Sequence, residues 1–209
     1  GVPCVMVTSG AVGAGVSALK MDGYPDDTAS RQACAAVGQT RLMHAYENLF
    51  QKFKLNPAQI LLTAHDFENQ NASNHVLNTL HRLLQQKNII PVINENDTVA
   101  VQELRVGDND MLSAKVASML GARLLIMLST VDGLQQSDGS LITNVDDIDA
   151  VAGHVRADHG KFSIGGMASK LKAVRFAVEQ GIETVIASGR KPRALRAIIT
   201  EGTGGTRFS

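Results

Sequence analysis

The chain has no excess of charge of either sign: 20 Lys and Arg balance 20 Asp and Glu across 209 residues. Gripping nucleic acid or an anionic membrane electrostatically needs a basic footprint, so neither partner is expected. Arg190, Lys191, Arg193 and Arg196 make only a local basic face. Long apolar runs are missing too, and none approaches the roughly 18 residues of a membrane span. Cysteine is scarce. Cys4 and Cys34 alone make neither a disulfide framework nor a thiolate metal site. Each lies in an apolar pattern and is expected as a buried free thiol, with the cytoplasm as default compartment. The six histidines show no ligand spacing such as HExxH, so no protein-held metal is expected. Also missing are the GxGxxG and Walker glycine patterns and any Ser–His arrangement suggesting a nucleophilic triad. There is no linker, low-complexity run or internal repeat. The chain opens at Gly1 almost inside a strand with no leader before it, and is read as a fragment whose upstream portion is missing.

What is present is an ordinary globular composition, 44% hydrophobic and 19% charged, enough for one sizeable core. Strand and helix patterns alternate throughout. Strands are expected at residues 3–8, 59–62, 89–93, 124–128, 141–142, 184–187 and 205–208. The run at 124–128 reads as a strand buried on both faces. Helices are expected after the glycine-rich run that ends at Gly15, over 28–54 with Asp26 or Asp27 as cap and Gly38 as a kink or break, over 75–86, from Asn109, after Gly166, and over 192–200. The acidic stretch 144–151 also has helical character. Such alternation predicts an α/β protein, a three-layer α/β/α sandwich with a mainly parallel central sheet, in one compact domain.

Two polar clusters interrupt this apolar pattern. The strand ending at Ile93 gives way to Asn94-Glu95-Asn96-Asp97, read as residues that could not sit in a core. Gly107-Asp108-Asn109-Asp110 then opens a helix. Each cluster alone is also what an ordinary turn or cap looks like. Together, beyond a strand end and at a helix start, they suggest one polar ligand held from two sides. Asp97 or Asp108 would suit an ammonium group. A third feature is Gly165-Gly166 before a helix with Lys170 in its first turn. Unpaired N–H groups, close backbone approach and a lysine charge make a phosphate site; a plain glycine loop before a surface helix is the other reading. Ser9-Gly10-Ala11 at the first strand-to-helix turn fits either close packing or a carboxylate contact.

The residues Val7-Thr8-Ser9-Gly10-Ala11, Asn94 to Asp97, Gly107 to Asp110 with Leu112-Ser113-Ala114, and Gly165-Gly166-Met167 with Lys170 resemble the glutamate 5-kinases of the amino acid kinase superfamily. The resemblance runs over essentially the whole length, as a kinase domain over 1–209 lacking its N-terminal strand and any C-terminal RNA-binding-like domain. It implies transfer of the γ-phosphoryl of ATP to L-glutamate, giving γ-glutamyl phosphate as the first step of proline synthesis. Mg2+ would be held mainly through the nucleotide phosphates. Ser9, Gly10, Asn94, Asp97, Asp108 and Asn109 would then bind glutamate, and Asp110 would organise the reacting centre. Lys170 would stabilise the transferring group. Ser129 and Thr130, with Ile164, Gly165, Gly166, Met167, Ala168, Ser169 and Lys170, would line the ATP site. Proline as a feedback inhibitor and a homo-oligomer are also implied. The chain departs from the pattern in three places: the first strand with its lysine is absent, Thr130 stands where many members have Asp, and residues 135–140 are short. Other readings of the same residues are an amino acid kinase with a different acceptor, a non-catalytic glutamate- or proline-binding module, and the kinase half of a bifunctional pyrroline-5-carboxylate synthase.

Overall fold

The structure, a computed structural model, describes residues 2–100, 109–151 and 166–209. It divides into two compact units, residues 1–112 and 113–209, and each has its own sheet. Among the described residues no helix is long and apolar enough to cross a membrane.

In the first unit, β1 (Met6–Val7), β2 (Asn56–Leu62) and β3 (Ile89–Glu95) form a parallel sheet in the order β1-β3-β2. β3 lies between the other two, and Val92 and Ile93 are fully buried. It also contains Pro91, although proline cannot donate to a ladder. Parallel strands point alternate residues to alternate neighbours. Ile93 faces β1, since its carbonyl accepts the Thr8 N–H at 2.8 Å, so Pro91, two residues back, faces the same way. There β1 pairs only from Met6, opposite Val92, and no ladder bond is lost. The strand also runs two residues past the expected end. Asn94 and Glu95 belong to it and are 1% and 8% exposed, so polar residues do enter this core, and their partners explain how.

α1 (Ala11–Leu19) and α2 (Thr28–Gln51) pack closely against each other. Asp27 caps α2, its carboxylate accepting the Ser30 N–H at 2.8 Å, which holds the carboxyl below its ordinary value. Gly38 does not interrupt this helix, contrary to expectation. Its role is contact: a Cβ there would lie 1.8 Å from the Ala11 carbonyl oxygen, and one on Gly15 would lie 1.9 Å from that of Cys34. The two helices thus meet backbone to backbone. Cys34 is buried beside this crossing, but Cys4 is exposed and is not the buried thiol expected. α3 (His65–Glu68) precedes α4 (Gln70–Leu84), which starts five residues earlier than its apolar stripe suggests. The Asn69 side chain caps it by accepting from Asn71 and Ala72.

α5 (Asn109–Leu120) opens in the first unit and continues into the second. The second sheet contains β4 (Leu124–Ser129), β5 (Asn144–Val145), β6 (Glu183–Ser188) and β7 (Thr206–Phe208), in the order β4-β6-β7-β5. Its pairings are parallel except β6 with β7. α6 (Gly166–Glu179) and α7 (Ala194–Thr200) are further helices of this unit. Val185, Ala187 and Ile198 form a buried cluster with Leu124 and Ile126 against it. β4 is less enclosed than its apolar run predicts, since Leu128 is 47% exposed. The segment expected as a strand at 141–142 makes only an isolated bridge, Leu141 to Gln135. Residues 144–151 open as β5 before a helical turn from Ile148.

Replacing Gly38 by Ala forces a methyl group onto a backbone carbonyl that cannot rotate away. We expect Gly38→Ala to destabilise the protein by about 1–3 kcal/mol, the usual cost of overpacking, read as a lower urea midpoint. An unchanged midpoint would mean that the helices do not cross this closely.

Candidate functional site

Asn94 is the centre of the first unit's polar interior. Its side-chain oxygen accepts the backbone N–H of Glu95 at 2.9 Å. A backbone N–H can only donate, so the atom facing it must be Oδ1, and the orientation of this amide follows. Nδ2 then points the other way and donates to Gln39 Oε1 at 3.0 Å. The Gln39 Nε2 in turn donates to Gln59 Oε1 at 3.0 Å. On the opposite side, Asn109 Nδ2 donates to Asn94 Oδ1 at 3.3 Å. Four carboxamides from α5, β3, α2 and β2 thus form one chain with one polarity. It leaves Asn109 Oδ1 buried without a partner among the described residues. A buried orphan acceptor is costly, and it is suited to a ligand that brings a donor.

The other residues of the cluster divide by role. Asn96 is the turn residue: its carbonyl accepts from Val99 and Ala100, and its side chain accepts from Thr98. Asp97 is half-buried on the wall of a shallow cleft shared with Gln39, Glu95 and Ala11. Asp110 is half-buried in the first turn of α5, where a carboxylate complements the helix dipole. Gly107 and Asp108 lie outside the described residues. At the first turn Ser9 is exposed, and Gly10 takes the N-cap position of α1 with φ 101° and no capping side chain. That conformation suits glycine and leaves helix N–H groups for an anion. The hydroxyl of the neighbouring Thr8 is bonded to Tyr46 at 2.6 Å.

In the second unit Ser129 and Ser188 end β4 and β6 side by side. Gly189 donates its N–H to the Ser129 carbonyl at 2.9 Å. Ser129 is half-buried and Thr130 exposed. The loop beyond is tied down by Thr206 of β7, whose hydroxyl accepts the Leu134 N–H at 2.7 Å and donates to the Ile142 carbonyl at 2.6 Å. Asp132 pairs with Lys191 at 2.6 Å. In α6, Gly166 and Ala168 are exposed while Met167, Ser169 and Lys170 are half-buried. Lys170 is the fifth residue of the helix, one position beyond its first turn. Arg175 on α6 donates to both carboxylate oxygens of Asp149, which holds that carboxyl below its ordinary value through hydrogen bonding and charge. Ile164 and Gly165 lie outside the described residues.

The amino acid kinase family profile matches residues 1–188. The chain belongs to the amino acid kinase family. A glutamate 5-kinase of Clostridium acetobutylicum is 42% identical over 215 residues, covering 100% of this chain and 80% of that protein. One from Symbiobacterium thermophilum is 44% identical, covering 98% and 80%. Among solved structures, a Giardia carbamate kinase superposes with a TM-score of 0.64 at 17% identity, covering 100% of this chain and 84% of that one. A T. acidophilum isopentenyl phosphate kinase gives 0.58 at 13%, covering 93% and 78%. At such identities these two speak to the fold alone.

Within this amino acid kinase fold, Asn94 and Asn109, expected together from the sequence, are in contact. Gln39 and Gln59 join them and were not singled out from the sequence, because a glutamine inside a helix or strand looks like any polar surface residue. The signal for Gln39 was its place after Gly38, which is buried at a helix crossing. Thr206 was likewise read only as part of a closing strand. Thr206→Val keeps its shape but leaves the Leu134 N–H without an acceptor. We expect a loss of about 1–3 kcal/mol, the cost of an unsatisfied buried donor, measured by urea denaturation. Unchanged stability would show that the loop does not depend on this hydroxyl.

Proposed function

We propose that this chain is the kinase domain of a glutamate 5-kinase, which transfers the γ-phosphoryl of ATP to the side-chain carboxylate of L-glutamate. A carboxylate oxygen attacks the γ-phosphorus, the new O–P bond forms as the bridging bond to ADP breaks, and γ-glutamyl phosphate leaves. This is the first step of proline biosynthesis. The similarity over the whole chain to glutamate 5-kinases supports the reading. The observation that carries it is the directed amide chain ending at the orphan acceptor of Asn109, a feature suited to the ammonium of an amino acid.

The first unit holds the acceptor-side residues. Asn109 and Asp97 take the ammonium, Ser9 and the Gly10 turn take a carboxylate, Asn94 orients Asn109, and Asp108 stands beside it in sequence. Asp110 organises the reacting centre. The second unit holds the nucleotide-side residues, Ser129, Thr130 and the run Ile164, Gly165, Gly166, Met167, Ala168, Ser169, Lys170. Phosphoryl transfer asks little covalent chemistry of a protein and depends on placement and positive charge. Lys170 supplies that charge. Mg2+ accompanies the nucleotide, held by its phosphates, in keeping with an ion that keeps several waters and binds through few protein carboxylates. The family match spans both units, which supports treating them as one kinase domain. Proline inhibition, a homo-oligomeric assembly and a cytoplasmic location belong to the same reading.

The deciding experiment is ATP-dependent formation of γ-glutamyl hydroxamate with hydroxylamine present, comparing glutamate, aspartate and N-acetylglutamate. Product with glutamate alone is expected. Product with another acceptor reassigns the substrate, and none with any acceptor removes the kinase reading in favour of a binding module. Lys170→Ala should lower kcat on the order of 100- to 1,000-fold, the scale of losing one transition-state charge contact, with glutamate KM little changed. Preserved turnover would remove Lys170 from the phosphoryl path. Asp97→Ala should raise the glutamate KM on the order of 10- to 100-fold, the worth of a charged hydrogen bond. Unchanged glutamate dependence would take Asp97 out of the acceptor site.

A further inference from the structure

We propose that Gln39 is a positioning residue for the acceptor site, acting through Asn94 to determine which atom Asn109 offers to the substrate. The inference rests on the glutamate-acceptor reading and adds to it a residue that stands outside both polar clusters. A carboxamide can present either its oxygen or its NH2 group, and the two select opposite ligands: a donor such as ammonium, or an acceptor such as carboxylate. Rotating an amide by half a turn changes its shape very little, so packing alone decides weakly between the two. Hydrogen bonds decide.

In this chain they decide in sequence. The Glu95 N–H pins Asn94 Oδ1 from one side. Gln39 Oε1 pins Asn94 Nδ2 from the other, and it can do so because Gln39 Nε2 is engaged by Gln59 Oε1. Asn94 Oδ1 is then the only polarity open to Asn109 at that contact, which therefore donates Nδ2 and keeps Oδ1 for a ligand. Gln39 is 8% exposed and Asn94 1%, so water offers Asn94 Nδ2 little substitute if Gln39 is lost. Flipping Asn94 would place its NH2 against the Glu95 N–H, two donors face to face, so an Asn94 without Gln39 is left strained between an unmet donor and a poor alternative. The glycine crossing matters here as well. Gly38, directly before Gln39, lies against the Ala11 carbonyl, which fixes the level along α2 from which Gln39 reaches β3.

The test is Gln39→Met, which keeps length and volume but removes both hydrogen bonds, with glutamate and ATP varied separately. We expect the glutamate KM to rise roughly 2- to 10-fold, the worth of one neutral hydrogen bond, with the ATP KM unchanged. Asn109→Ala combined with Gln39→Met should be no worse than Asn109→Ala alone, because Gln39 acts through Asn109. Proportional rises in both KM values, an unchanged glutamate KM, or full additivity in the double variant would each overturn the proposal. If Gln39→Met does not fold, Gln59→Met decides at an exposed position: a rise confined to the glutamate KM supports the chain, and no rise overturns it. Should the unsubstituted protein fail to phosphorylate glutamate, the acceptor reading is wrong and kinetics are set aside. The side-chain amide protons of Asn109, followed by NMR hydrogen exchange, then judge the positioning claim alone. Faster exchange in Gln39→Met, or in Gln59→Met if that is the variant that folds, supports it, and unchanged exchange overturns it.

Discussion

The hydrogen bond from the Glu95 backbone to the Asn94 side chain orders everything around it. Burying a carboxamide at the end of a central strand is unfavourable unless each of its atoms is matched. Here the match starts from a group whose polarity cannot be reversed, and three further amides inherit their orientation from it. A polar network is worth having in a core only when it is satisfied almost throughout. The acceptor left over among these four amides, on Asn109, is open to a donor from outside the network.

That network needs α2 at a particular height and distance from β3. The crossing of α1 and α2 at Gly15 and Gly38 provides it, because backbone meeting backbone leaves no side chain through which the helices could slide. The same α1 begins at Gly10, whose left-handed conformation turns the chain sharply out of β1 and presents the helix start. Packing in the first unit therefore positions two different polar features, an N–H-rich helix end and a carboxamide acceptor. In the second unit the comparable device is Thr206. A single buried hydroxyl on the last strand joins the loop after β4 to the chain near β5, holding that loop from a residue more than 70 positions along the chain from Leu134.

The α/β class, most strand and helix positions, and the two acidic-amide clusters were legible in the residues. Periodicity and capping are local properties, and a resemblance carried on contiguous motifs is local too. Asp27 capping α2 is such a case. What escaped was of another kind. Asn94 and Glu95 looked like the end of a strand because polar residues usually are, Gly38 looked like a helix breaker, α4 began under a cap hidden in an asparagine-rich stretch, and Cys4 sat in an apolar run yet is exposed.

The sequence by itself determined the alternation of strands and helices, the identity of the chemical groups available and the motifs shared with the amino acid kinases, since each of these depends on neighbours a few residues apart. Only the tertiary structure decided what those groups do. Whether Asn94 is a turn residue or a buried hub depends on Gln39, 55 positions away, and which atom Asn109 presents depends on a backbone N–H in β3. The physical reason is that a hydrogen bond's direction is a property of two partners, and the partners here meet only when helices and strands distant in the chain have packed together.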